Sequence, residues 1–178
     1  MPLPLPLPTP RGGAPDSPLR RLNDASVRDA ERALLTCCGS ARWAHRLAAH
    51  RPYPDVEALL AAADEASYDM THTDLAEALA GERVDQPLTE GPSALAAHTA
   101  LRAAHAAYEA RFGHTFVVCL DDCRAEERVD LALVGLRTRL VHDEDTERAV
   151  AAEELRRLAR GRLARLLGAA PRTDPARP

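Results

Sequence analysis

Apolar residues recur along most of the chain three or four positions apart, which is the spacing of a helix face. Between Val56 and Ala63 they follow a period near 3.6, as expected for a helix with one side in a core. Serine, threonine and glycine residues stand where such helices would begin and end. The pattern predicts an all-α, single compact domain of about seven helices. They are expected at approximately residues 26–38, 40–51, from 54 onward, 71–80, 93–112, 126–141 and 145–167.

Proline residues punctuate both ends of the chain. The first ten residues alternate proline with leucine, which disfavours helix and sheet and predicts an extended polyproline-type arm. The last eight residues also contain prolines and lack an apolar face. The length that remains suits one domain. We therefore expect a disordered arm over residues 1–20, a helical domain over 21–168 and a disordered tail over 169–178.

Two local patterns refine this outline. Gly81 directly follows the apolar residues of the fourth predicted helix, so we expect it at the C′ position just beyond the helix end. Residues 82–92 contain two prolines and a glycine and are predicted to form a loop. The run Thr115–Leu120 has strand-like residues but no partner run elsewhere in the chain. An extended buried connector is therefore expected there instead of a sheet.

Composition and charge exclude several classes of function. Lysine and isoleucine are absent, and alanine, leucine, arginine and glutamate dominate, which favours helices. The formal net charge is −4, with both signs interspersed. No basic block or aromatic-basic pattern points to nucleic acid, no apolar run approaches membrane-spanning length, and the N-terminal stretch lacks the features of a signal peptide. We therefore expect a cytoplasmic protein with no nucleic-acid or membrane partner.

The four cysteines form two pairs. Cys37 and Cys38 are adjacent, and Cys119 and Cys123 are four positions apart. Neither pair has the two-residue spacer that is typical of a zinc knuckle. A zinc site remains an alternative, but buried thiols without a metal are the favoured interpretation.

Three further motifs occur in a fixed order. Residues 34–52 combine the two adjacent cysteines, a small turn, the single tryptophan and an Arg-Pro stop. Residues 108–119 read Tyr-Glu-Ala-Arg-Phe-Gly-His-Thr-Phe-Val-Val-Cys. The last motif consists of Arg139-Leu-Val-His142, Glu147, Glu154 and Arg162-Leu163. Together these motifs resemble the OHCU decarboxylase family, named for 2-oxo-4-hydroxy-4-carboxy-5-ureidoimidazoline. The resemblance covers about residues 22–168, and His142 departs from it by standing where the family has asparagine.

The resemblance implies a compact helical protein, usually a homodimer, that works without a metal or an organic cofactor. It implies removal of carbon dioxide from OHCU during urate degradation, giving one enantiomer of allantoin. Such chemistry requires a held and desolvated carboxylate, a place for its electron pair, and a proton delivered to one face. A histidine with a nearby glutamate can supply the acid–base step. An arginine and backbone amides can hold anionic oxygens.

The resemblance breaks down at the active-site motif. Where the family has His-Pro-Arg-Ile-Gly, this chain has Gly81-Glu-Arg-Val-Asp85, so the catalytic histidine is replaced by glycine. Glu90 is the nearest candidate for the family's acid–base glutamate. By the same resemblance, a small anionic substrate would be held by Arg83, Arg162 and the backbone of Cys119 and Leu120.

Three hypotheses follow from these observations. The first is a decarboxylase that retains activity through positioning and desolvation. The second is a catalytically inactive paralogue that binds a ligand or a partner. The third is an enzyme of altered specificity that uses His98 or His105 as its acid–base group, although their spacing on an alanine-rich helix favours positions at the surface.

Overall fold

Helices account for all the regular secondary structure of the part of the chain that the computed structural model describes. That part comprises residues 17–83 and 94–168, the side chains of 94–97 excepted. No strand occurs within these ranges, so the predicted all-α class is confirmed. The α-helices are α1 Pro18–Asp24, α2 Val27–Leu35, α3 Ala41–Ala49, α4 Val56–Tyr68, α5 His72–Gly81, α6 Ala94–Phe112, α7 Arg128–Arg139 and α8 Glu144–Leu166, and a 3₁₀ turn occupies Ala125–Glu127.

Helix α1 was not among the predicted helices, and it begins inside the stretch predicted as an arm. Ser17 caps it by accepting a hydrogen bond of 3.2 Å from the Arg20 amide, and Pro18 occupies the first helical position, where its missing N–H costs nothing. The Asn23 side chain exchanges two hydrogen bonds of 2.9 Å with the backbone of Tyr53. The helix is thus stabilised by tertiary contacts that its local sequence does not reveal.

Arg51 closes the other end of α1. Its guanidinium donates to the carbonyl oxygens of Leu22, Asn23 and Ala25, the last at 2.9 Å. These are carbonyl groups of the last helical turn and of the C-cap residue, which would otherwise lack a partner within the helix. One side chain from the α3–α4 connection therefore caps α1.

The predicted helix starts are confirmed for α3 and α5. Ser40 accepts from the Trp43 amide at 3.2 Å, and Thr71 with Asp74 forms a complete capping box. Helix α4 differs from the prediction, because Pro54 precedes the helix and Asp55 is its N-cap.

The main core lies among α2, α3, α4, α5 and α8. Trp43 lies in this core and is 1% exposed. The Trp43 indole nitrogen donates to the Ala63 carbonyl at 3.0 Å and contacts the Ser67 hydroxyl at 3.1 Å, so the polar atom of this large side chain is satisfied. The tryptophan thus joins α3 to α4 by packing and by hydrogen bonds.

A second cluster lies between α6 and α7 and includes Tyr108, Phe116 and Leu136. Residues 115–120 have no regular secondary structure, which confirms the predicted connector. Phe116 packs into the second cluster, whereas Val117 belongs to the main core. Successive side chains of this segment therefore join the two clusters.

The ends of the chain and the central loop are only partly covered by the described residues. Residues 1–16, 84–93 and 169–178 lie outside them. The predictions of an N-terminal arm, a loop over 82–92 and a C-terminal tail therefore stay predictions.

Candidate active site

The C-terminal end of α5 carries Gly81, which the resemblance aligned with the family's catalytic histidine. Gly81 is the last helical residue and Glu82 is the C-cap, so the predicted C′ position of Gly81 is wrong. Its φ is not positive, and the amide that closes the helix end is that of Glu82, bonded to the Leu79 carbonyl at 3.2 Å. The helix therefore runs one residue further than the glycine signal indicated.

The backbone at Gly81 has room for a side chain. Among the described residues, a Cβ atom built there would meet only the Gly39 Cα, at 3.8 Å, which is ordinary van der Waals contact. Gly39 itself lies close to α5, because a Cβ on it would be 3.3 Å from the Ala78 carbonyl oxygen. The backbone at position 81 thus tolerates a side chain, although the chain supplies none.

Glu82 and Arg162 form the central polar contact of this region. The two Glu82 carboxylate oxygens accept from Nη1 and Nη2 of Arg162, each at 2.7 Å. The Glu82 side chain is 6% exposed and that of Arg162 is 30% exposed. The hydrogen bonds with Glu82 are the main reason that the pKa of Arg162 is raised above its usual value. This is the bidentate geometry in which arginine binds a carboxylate.

The turn after α2 forms one wall of the region. The Cys37 carbonyl accepts from Arg162 Nη1 at 3.2 Å. Cys37 and Cys38 are each 1% exposed, and burial is the main cause that raises the pKa of Cys38 to about 11. Both thiols are therefore protonated at neutral pH and behave as apolar groups.

The segment 119–121 runs along α8 from Glu154 to Arg165. The Cys119 amide donates to the Glu154 carboxylate at 2.7 Å, and Asp121 accepts from Arg165 at 2.8 Å. The Asp121 carboxylate fills the space beside Gly161, where a Cβ atom would be 2.2 Å from it. The amide expected to hold a ligand oxygen thus has an internal carboxylate as its acceptor.

A buried polar cluster holds the connector at Val117. Glu147 is 1% exposed in its side chain and accepts hydrogen bonds from Arg139 and Tyr108. It also contacts His142 Nδ1 at 3.0 Å. Burial alone would raise the pKa of Glu147, but the hydrogen bonds from Arg139 and Tyr108 outweigh it and lower that pKa below its usual value. Arg139 also donates to the Val117 carbonyl at 2.6 Å, so the cluster fixes the connector.

Comparison with known proteins identifies the scaffold. The family model for OHCU decarboxylase matches residues 23–82 and 86–164. The chain belongs to the OHCU decarboxylase family. No curated protein matches the sequence significantly.

Two solved structures share the fold of this family member. A crystal structure of (S)-allantoin synthase is 19% identical, with a TM-score of 0.62, and the alignment covers 84% of this chain and 53% of that chain. A crystal structure of OHCU decarboxylase in the presence of (S)-allantoin is also 19% identical, with a TM-score of 0.64 and coverage of 81% and 99%. This chain spans about half the length of the allantoin synthase.

The predicted site residues lie in different parts of the structure. The side chain of Arg162 reaches from α8 to the end of α5, but its guanidinium is already occupied by Glu82. Arg83 is exposed beside Glu82. Cys119 and Leu120 lie in the connector and are half-buried. Glu90 lies outside the described residues, so its assignment remains a prediction.

Glu82 is the polar residue that the sequence reasoning missed. The resemblance aligns it with the proline of the family motif, and an acidic residue at that point can reach an arginine expected to hold an anion. That substitution was the available signal. The pairing itself joins residues 80 positions apart and could not be inferred from local patterns.

The histidines on α6 differ from the expected surface positions. His105 is 8% exposed and packs edge-on against Phe116, with ring centroids 5.5 Å apart. Burial lowers its pKa, and its Nδ1 has no hydrogen-bond partner among the described residues. His98 is half-buried. His105 thus lies with the aromatic residues of the second cluster, not beside the Glu82–Arg162 pair.

A cavity of about 160 Å³ lies between α4, α5 and α8 and is lined by Tyr68, Met70, Leu75 and Arg156 among others. It contains none of the predicted site residues. Across residues 17–83 and 94–168, no group of histidine, cysteine and acidic side chains could hold a metal ion, and no helix is long and apolar enough to cross a membrane.

Proposed function

We propose that the protein is an OHCU decarboxylase-like lyase acting, without a cofactor, on a small ureido-imidazoline acid. The observation that carries the proposal is the position of Arg162, the cation expected to hold an anion. Its guanidinium reaches from α8 to Glu82 at the end of α5, next to the position that the resemblance aligns with the family's acid–base residue. Room for a side chain at Gly81 and the neighbouring buried turn of Cys37 and Cys38 support a ligand site there.

The proposed reaction breaks one carbon–carbon bond. The carboxylate leaves as carbon dioxide, its bonding electron pair spreads into the imidazoline ring and the adjacent carbonyl, and a proton is then added to the ring carbon. Gly81 has no proton to give, so water supplies it in this proposal. The protein contributes by holding the substrate and by excluding solvent from one face, which accelerates a decarboxylation whose substrate already decays unaided.

A second candidate function is that of a non-catalytic paralogue that binds a ligand or a partner. Two observations favour it specifically: position 81 has no side chain, and the Arg162 guanidinium is already neutralised by Glu82. In this case the scaffold is retained while the original acid–base chemistry is lost.

The test uses freshly prepared OHCU and the full chain. The decay of the substrate and the optical activity of the allantoin produced are followed with and without protein. Faster decay with an excess of one enantiomer supports the decarboxylase, and Arg162→Gln should abolish that excess. Glu65→Gln, on the exposed side of α4, is the matched control and should behave as the unmodified protein. Racemic product at the background rate would favour the non-catalytic paralogue instead.

We further propose that the protein acts in the cytoplasm as a homodimer, with no metal and no nucleic-acid partner. The interspersed charges and the net charge of −4 support the absence of a nucleic-acid surface. Light scattering coupled to size-exclusion chromatography tests the dimer: the mass of a single chain, 19.3 kDa, would contradict it.

A further inference from the structure

The Glu82 carboxylate occupies Arg162 as a bound carboxylate ligand would. Both of its oxygens lie 2.7 Å from the two terminal guanidinium nitrogens. This planar two-point contact is the arrangement that makes arginine selective for carboxylates. The pair is also shielded, since the Glu82 side chain is 6% exposed.

The backbone holds Glu82 in this position. Its amide is bonded to the Leu79 carbonyl, and α5 packs closely against Gly39 through Ala78. On the other side, Arg162 is held by the Cys37 carbonyl. Because both partners belong to one rigid scaffold, the internal carboxylate is present at a high effective concentration.

We propose that Glu82 determines the specificity of this site by competing with carboxylate ligands for Arg162. A ligand carboxylate has to displace Glu82 or accept its negative charge as a neighbour, so the unmodified protein gains little affinity from a ligand's carboxylate. A ring ureide without a carboxylate experiences no such competition. The inference relies on the proposed function only in treating Arg162 as the anion-binding group.

This competition has a consequence for decarboxylation. The substrate carboxylate is charged, whereas the carbon dioxide that leaves is neutral. Tight binding of the ground-state carboxylate therefore adds to the barrier, because only interactions that strengthen in the transition state accelerate a reaction. Because Glu82 neutralises Arg162, the arginine does not strongly stabilise the ground-state carboxylate of the substrate. It can still position the substrate ring.

The test measures binding without turnover, using orotate and uracil. Both are small ring ureides, and orotate differs by its carboxylate. We expect the unmodified protein to bind the two with affinities within about threefold of each other. Glu82→Gln should bind orotate at least tenfold more tightly than the unmodified protein, a change of about 1.4 kcal/mol. Its affinity for uracil should not change.

Two control variants isolate the cause. Glu65→Gln makes the same change of charge at an exposed position of α4 and should leave orotate binding unchanged. The double variant Glu82→Gln with Arg162→Gln should lose the gain. Equal binding of orotate by Glu82→Gln and the unmodified protein would overturn the proposal, as would a gain that persists in the double variant or extends to uracil.

The proposal remains testable if Glu82→Gln does not fold, as judged by circular dichroism. In that case the unmodified protein decides: a preference for orotate over uracil of tenfold or more would contradict the competition, and no preference would support it. The outcome is also separable from decarboxylase activity. A protein that shows the orotate gain but no stereoselective turnover would retain this inference and lose the proposed function.

Discussion

Replacing Glu147 by glutamine tests the buried polar cluster most directly. The substitution removes the negative charge opposite Arg139, whose side chain is 7% exposed, and preserves the shape of the side chain. Arg139 and Tyr108 both donate to Oε1 of Glu147, so the amide oxygen can still accept from both, and the amide nitrogen takes the place of the oxygen that faces His142. Arg139 is thereby left as a buried cation without a counter-charge.

The expected loss follows from that burial. Breaking a buried ion pair by removing one partner costs about 3–5 kcal/mol. We expect about 3 kcal/mol for Glu147→Gln, because the remaining oxygen retains part of the hydrogen bonding. Since small domains have unfolding free energies of about 5–15 kcal/mol, such a loss should be obvious in a urea titration followed by circular dichroism.

A matched control lies in the first turn of the same helix. Asp145 pairs with Arg148, but its side chain is 92% exposed, so Asp145→Asn should leave the urea midpoint unchanged because solvent screens the pair. A loss below about 1 kcal/mol for Glu147→Gln would refute the reasoning, since it would mean that water or another group compensates Arg139.

The same variant predicts a change in pH dependence. The pKa of Glu147 is lowered in the folded protein from the ordinary value of 4.5. A group with a depressed folded pKa stabilises the fold fully above its unfolded pKa, and the contribution is lost as pH falls through the folded pKa. The unmodified protein should therefore lose stability below about pH 4.5. Glu147→Gln should lose less over that range, and parallel curves would contradict the assignment.

Two further predictions concern the region around α5. Gly81→His should fold with unchanged or slightly higher stability, because histidine has less conformational freedom than glycine in the unfolded chain. Among the described residues, a Cβ atom there meets only Gly39, at 3.8 Å. The urea midpoint checks the stability, and restored stereoselective decarboxylation would show that the surrounding site is intact. In the native protein at pH 7, a thiol reagent should modify Cys123 faster than Cys37 or Cys38, because the latter two are each 1% exposed. Peptide mass spectrometry after a timed reaction measures the order of modification. Equal rates would refute the burial of Cys37 and Cys38.

The helices that could be predicted from the sequence are mostly those with local sequence signals, such as caps. The caps at Ser40 and Thr71 could be foreseen because a capping side chain bonds to an amide only a few residues away. Helix α1 was missed because its stability depends on Asn23 and Arg51 contacts across about 30 positions. Its proline-rich neighbourhood also favoured an extended chain.

The candidate site was predicted less completely, and for a physical reason. Arg162 could be named from the resemblance, but its partner depends on the angle at which the end of α5 meets α8. Gly81 was expected just outside the helix because glycine favours that position. The helix continues instead, and Glu82 closes it with its own amide. That single residue of extra helix sets where the Glu82 side chain projects.

Arg51 donates hydrogen bonds to carbonyl groups at the end of α1. These bonds determine how far the protein can be shortened from its N-terminal side. A version beginning after Asp24 would retain the guanidinium but lose the carbonyl oxygens of Leu22 and Asn23, and with them the apolar contribution of Leu22, which is 7% exposed. The Arg51 guanidinium at the α3–α4 junction would then lack two of its carbonyl acceptors. Biochemical work with trimmed forms should therefore preserve every residue from Ser17 onward.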